Sequence, residues 1–366
     1  MNITQEAVLK ALSTVEEPDL KKDLVTLNMV DKISVDGNKV SFTIILTTPA
    51  CPLKELIRRS CEEAIHQHID KDIEVTVNLT AEVTSTRFGT TPVLPKVKNI
   101  IAIASGKGGV GKSTVTSNLA MALAKSGASV GLLDADIFGP SIPTMFGVEG
   151  GRPEVTEVDG KNMIIPIDSL GIKIISMGFL APAENAVVWR GPMASKALTQ
   201  FLGDTLWDEL DYLLIDLPPG TSDIHLTLVQ AVPVTGVVIV TTPQKVALDD
   251  AIKGVAMFRQ PQINVPVLGV VENMAYFTPA ELPENKYYIF GKDGGKQLAQ
   301  RFETPFLGEI PLVQGIREGG DNGVPAVETA DEATVLAFES LAQSVARQVA
   351  IRNASQPKTQ RVEIKV

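Results

Sequence analysis

Gly106-Lys107-Gly108-Gly109-Val110-Gly111-Lys112-Ser113-Thr114 decides the fold of this chain, because it fits G-x-x-x-x-G-K-[ST] between a strand-like and a helix-like segment. Upstream, residues 100–104 (IIAIA) form a short apolar run that reads as a buried strand. Downstream, Val115, Leu119, Ala122 and Leu123 recur at helical spacing, and Gly127 stands where a helix would end. That setting predicts a phosphate-binding loop and makes nucleotide binding the first functional expectation.

The glycines let the backbone turn tightly, so the amides of Gly106, Gly108, Gly109, Val110 and Gly111 can point at phosphate oxygens while the following helix adds its partial positive end. Lys112 is expected on the β and γ phosphates, the Ser113 hydroxyl on Mg²⁺, and Thr114 on an inner phosphate. Lys107 fills a variable slot just after the first glycine. A long cation there points away from its own phosphates. Its expected use is to cross a dimer interface and neutralise charge on the partner's nucleotide, as an arginine finger does; a solvated surface lysine is the alternative.

Length and composition bound the rest. A chain of 366 residues exceeds the usual single-core size, so one larger and one smaller domain is the natural division. With 33 basic against 43 acidic residues, the net charge of −10 argues against broad electrostatic binding to nucleic acid or an anionic membrane. No apolar run approaches the 18 or so residues of a membrane span, and the first residues lack the pattern of a signal peptide, so the cytoplasm is the expected compartment. Two cysteines, Cys51 and Cys61, are too few for a disulfide framework or a four-cysteine metal site within one subunit.

Along the chain, residues 1–85 read as a small α+β domain. It comprises an amphipathic segment at 4–15, strands at 29–34 and 39–46 joined at Asp36-Gly37-Asn38, a helix at 52–68 and a strand at 73–79. Residues 86–98, with two prolines and no periodicity, suit a linker. From 99 to 350, buried strands recur at 130–133, 212–215, 237–240 and 267–271 with helical segments between several of them. The expected fold is α/β, a P-loop NTPase with a mostly parallel sheet flanked by helices and ligands at the strands' carboxyl ends. Residues 351–366 read as a polar tail.

Three strand ends carry candidate chemistry. Leu213-Leu214-Ile215-Asp216 ends in a carboxylate that would order Mg²⁺ opposite the loop, and the continuation Leu217-Pro218-Pro219-Gly220 offers an amide that would sense the γ phosphate. Leu132-Leu133-Asp134-Ala135-Asp136 supplies Asp136 to orient the attacking water and Asp134 to a metal-side or supporting role; capping of a following turn is the alternative for either. Asn273, in Glu272-Asn273-Met274, presents an amide able to pair with both edges of adenine, or to satisfy a local turn. Lys107, Lys112 and Asp136 are thus the expected catalytic set.

The KGGVGKST form resembles the deviant Walker A motif of the MinD, ParA and nitrogenase iron-protein superfamily. Together with LLDADIFGPS (132–141), VWRGPM (188–193), DLPPGTSD (216–223), ENM (272–274) and FGKDGG (290–295), the chain resembles the Mrp/ApbC family of iron–sulfur cluster carrier ATPases. EPDL (17–20) and TTPACP (47–52) make the first domain look like the SufT-like domain often fused to such proteins. The resemblance implies ATP with Mg²⁺, a homodimer, an iron–sulfur cluster as cargo, and apo iron–sulfur proteins or assembly factors as partners. Cys51, just before Pro52 at a predicted helix start, is the candidate thiolate for iron, since helix starts lower a cysteine pKa; a buried, inert cysteine is the alternative. Family members usually carry Cys-Pro-x-Cys soon after the ENM segment. Here Phe277 is followed by Thr278-Pro279-Ala280-Glu281, which supplies no thiolate.

Overall fold

The computed structural model describes residues 3–87, 93–180, 191–279, 281–282 and 284–362. The chain divides into two compact units, Met1–Thr84 with Ala350–Gln356, and Ser85–Val349 with Pro357–Val366.

The first unit pairs helices α1 (Gln5–Leu12) and α2 (Lys54–His68) with strands β1 (Val30–Asp36), β2 (Lys39–Leu46) and β3 (Glu74–Ala81). β1 runs antiparallel to β2 and β3 parallel to it. Alternation along β2 sends Val40, Phe42, Ile44 and Leu46 inward, where Val8 and Leu12 of α1 and Ile57, Cys61 and Ile65 of α2 meet them. Each such side chain, fully buried, contributes about 1.5–3 kcal/mol. The core-facing stripe of α2 runs through Ile57, Cys61, Ala64 and Ile65, which leaves Leu56 half exposed.

The second unit is built on a sheet of eight strands among the described residues. They are β4 (Val97–Ala104), β5 (Val130–Asp134), β6 (Ile167–Ser169), β7 (Ile172–Ser176), β8 (Leu210–Asp216), β9 (Gly236–Thr241), β10 (Val267–Glu272) and β11 (Phe306–Glu309). Their order is β6-β7-β5-β8-β4-β9-β10-β11, parallel throughout except at the β6–β7 edge. The predicted α/β architecture is therefore the observed one. β5, β8, β9 and β10 are near-continuous apolar runs because helices cover both faces of a parallel sheet. Those helices include α3 (Lys112–Lys125), α4 (Gly191–Asp204), α5 (Asp223–Ala231), α6 (Lys245–Phe258), α7 (Gly294–Arg301), α8 (Gln314–Asp321) and α9 (Glu332–Ser355).

Two boundaries differ from the sequence reading. Val97 already belongs to a central strand, and α9 continues to Ser355, past the expected start of the tail. Apolar and charged residues both persist through the end of α9, so its helical period outweighs its polarity. Of the VWRGPM string, residues 188–190 lie outside the described residues, and Gly191 opens α4.

Candidate nucleotide-binding site

Register brings the site together. β8 pairs with β5 and β4 so that Asp216 lies beside Asp134 on one side and Ile103 on the other, and the chain leaves β4 directly into the glycine loop. The loop then turns into α3 through Gly111, whose φ of 77° belongs to the left-handed region glycine tolerates. At Gly106 the need is space: a Cβ would lie 2.1 Å from the Asp250 carbonyl carbon on α6.

One cavity of about 260 Å³ is lined by Lys107 through Thr114 together with Asp136 and Pro219. Inside it Lys112, 6% exposed, places Nζ 2.7 Å from the Asp216 carboxylate and 3.9 Å from that of Asp136. The Ser113 hydroxyl donates to Asp216 Oδ2 at 2.6 Å, and the Thr116 hydroxyl donates to Oδ1 at 2.7 Å. Asp216 thus gathers three donors from the first turns of α3. Ser113 and Asp216 offer a hydroxyl and a carboxylate as adjacent hard oxygens, the donor set that suits Mg²⁺.

The two carboxyls of the β5 end separate by environment. Asp134 is fully buried and accepts from the Asp136 amide, the Ile142 amide and the Ser176 hydroxyl. Burial first, and the Asp216 charge second, push its pKa up, to about 8. Asp136 lines the cavity, and burial raises its pKa while Lys112 opposes that shift. Only Asp136 of the pair faces the cavity.

The Asn273 amide donates to the Val110 carbonyl at 2.8 Å and so braces the loop. Two expectations change. The Gly220 amide, expected free, donates to the Ser105 carbonyl at 2.8 Å because the turn folds back on the end of β4. Cys51 and Cys61 are both buried in the core of the first unit. Desolvation pushes the Cys51 thiol up rather than down, and the Cys61 thiol up to about 12. At Cys51 burial outweighs the Leu53 backbone hydrogen bond that favours the thiolate, and Glu17 and Asp19 add to the upward shift. Lys107 is exposed on the cavity rim.

A second cavity of about 390 Å³ adjoins the first, sharing Thr114, Ser141 and Met145 and continuing past Asn273 to Leu312, Val313 and Arg317. These last three were not legible in sequence, since they follow β11 without a motif of their own. Thr116 had a signal: it lies one turn beyond Ser113 on the same face of a helix. FGKDGG proves to be a packing device, with Gly294 and Gly295 seating the start of α7 against Pro243 and Glu272.

Comparison with known proteins gives a family match in each unit. The family described as NUBPL iron-transfer P-loop NTPase matches residues 96–348, and that described as iron–sulfur cluster assembly protein matches residues 5–77. The chain is 48% identical to an iron–sulfur cluster carrier protein of Synechocystis sp., covering 95% of this chain and 99% of that one. It is 46% identical to the protein of that name from Deinococcus radiodurans, covering 96% and 97%. Among solved structures, a nucleotide-binding protein from Archaeoglobus fulgidus, in complex with ADP, aligns at 41% identity and a TM-score of 0.56 over 65% of this chain and 91% of that one.

Proposed function

This chain belongs to the NUBPL iron-transfer P-loop NTPase family, and from that membership we propose that it binds and hydrolyses ATP as a homodimer in the cytoplasm and uses the cycle to bind iron–sulfur clusters and hand them to apoproteins. The observation that carries the nucleotide half is the pair of adjoining cavities, one lined by the glycine loop, Lys112 and Asp136 and the other by apolar side chains such as Met274, Leu312 and Ile316 together with polar Asn273 and Arg317, meeting at Thr114. The triphosphate fits the first and the nucleoside the second.

In this reading Lys112 leaves Asp216 to neutralise the β and γ phosphates, and Ser113 with Asp216 would hold Mg²⁺, which supplies charge neutralisation at those phosphates. Asp136 orients the water. Burial raises its pKa, and the Lys112 cation 3.9 Å away opposes that shift, favouring the charged carboxylate. Lys107, exposed on the rim, crosses to the partner's nucleotide. Asn273 acts by holding the loop through Val110, and the amides of Gly106, Gly108, Gly109 and Gly111 with Val110 and Thr114 take the phosphates.

A second reading, an ATP-dependent switch that carries no cluster on its own thiols, is favoured by one observation. Residues 85–366 contain no cysteine, and both cysteines of the first unit are buried with raised pKa values. Anaerobic reconstitution with iron and sulfide separates the two. The carrier reading expects stoichiometric iron and sulfide that Cys51→Ala abolishes; protein that hydrolyses ATP but retains no iron supports the switch. In both, Lys112→Ala should lose nucleotide binding, whereas Asp136→Asn should keep affinity within about twofold and lower turnover about a hundredfold. Equal, undetectable turnover in all three proteins would remove the enzymatic half.

A further inference from the structure

Residues 217–222 connect the end of β8 to α5, and both ends of this connection are pinned. At the front, the Leu217 amide bonds the Ile103 carbonyl and the Gly220 amide bonds Ser105, both from β4 and its exit. Pro218 and Pro219 restrict what lies between, and Pro219 lines the phosphate cavity. At the back, Ser222 caps α5, and the residue three positions on, where a helix start usually carries Glu or Gln, is His225.

His225 closes that cap with a ring nitrogen. Its Nδ1 accepts the Ser222 amide at 3.1 Å and lies 3.2 Å from the Ser222 hydroxyl. Nδ1 also lies 3.3 Å from the Ser222 carbonyl; in the tautomer that accepts the Ser222 amide, the imidazole proton is on Nε2. The residue is 1% exposed, Nε2 is buried without a hydrogen-bond partner, and the ring lies 6.1 Å from that of Phe258 on α6. Burial drives its pKa down to about 4, so the ring stays neutral and able to accept. A protein seldom leaves a buried N–H without a partner for helix capping alone, since a glutamine at this position would serve without an aromatic ring to bury.

We propose that His225 is a positioning residue for ATP hydrolysis: by holding the Ser222 amide it fixes the far end of the 217–222 loop and thereby sets where Pro219 and Gly220 stand at the phosphate cavity. The idea rests on the ATPase reading above. For the Gly220 amide to turn from Ser105 toward a γ phosphate, the loop must pivot between the Leu217 bond to Ile103 in front and the histidine cap behind. His225 does not line the phosphate cavity; it acts through Ser222.

Two variants separate capping from packing. His225→Gln keeps an acceptor at this position, and His225→Phe keeps a buried ring without one. Hydrogen exchange of the peptide covering 217–225 in the nucleotide-free protein reads the cap directly, and kcat with KM for ATP reads its consequence. The expected result is exchange at least tenfold faster in His225→Phe, with kcat lowered about tenfold and KM within twofold, and both restored by His225→Gln. Unchanged exchange in His225→Phe, or equal losses in both variants, overturns the proposal. Should His225→Phe fail to fold, His225→Gln decides alone: wild-type exchange and turnover support it, and loss of either overturns it. Absence of turnover in the wild-type protein would count against the ATPase reading, while the exchange result would still judge the cap.

Discussion

Asp134 and Asp216 close neighbouring parallel strands in register, so two carboxyls stand side by side with no exposure, and the chain must keep one of them from charging. Asp216 faces Lys112 and two hydroxyls, whereas Asp134 meets two amides and the Ser176 hydroxyl. The upward shift of Asp134 has a definite sign in stability. Its folded pKa lies above the ordinary carboxyl value, so the folded state holds the extra proton, and the contribution is full below about pH 4 and lost as pH rises through about 8. Asp134→Asn removes that titration. Urea midpoints should show wild type losing stability relative to Asp134→Asn between pH 5 and 8, on the order of 1 kcal/mol per pH unit. Parallel pH profiles would exclude the protonated carboxyl. In sequence, Asp134 and Asp136 were indistinguishable as two acids at one strand end; only burial and Ser176, 42 residues beyond Asp134 on β7, separate a structural carboxyl from a cavity-facing one.

At the scale of the element, the glycine loop is shaped as much by what stands behind it as by what it binds. Gly106 touches the backbone of α6 at Asp250 and Ala251, so a methyl there has no flexible neighbour to displace. Gly108 has only Pro219 Cγ at 3.8 Å, an ordinary contact. Gly106→Ala should therefore cost about 1–3 kcal/mol or more in chemical denaturation, and Gly108→Ala about 0.5 kcal/mol or less. Equal costs would mean that the α6 contact does not set the loop. The motif was legible because it is contiguous and because strand and helix periods flank it. The brace from Asn273 to Val110 was not legible, since it joins residues far apart whose proximity depends on the order of β4, β9 and β10.

For the whole molecule, the exposed Lys107 predicts that function belongs to two chains. Light scattering with Mg²⁺ and a nonhydrolysable ATP analogue should give twice the single-chain mass for wild type and no increase for Lys112→Ala. Mixing Lys107→Ala with Lys112→Ala should recover part of the turnover that each lacks, because a mixed pair holds one intact loop facing one intact Lys107. No recovery on mixing would make the subunits independent. Among the described residues no helix is long and apolar enough to cross a membrane.

By itself the sequence determined the parallel α/β architecture, the glycine loop and the carboxylates that end β5 and β8, because hydrophobic period and motif spacing are local properties of the chain. Tertiary structure alone decided what each polar group does: Asn273 turned onto the loop, the Gly220 amide bonded to Ser105, Cys51 withdrawn into an apolar core, and His225 closing a helix cap. Those outcomes depend on desolvation and on which distant partner completes a hydrogen bond, and neither quantity exists until the strands have found their order.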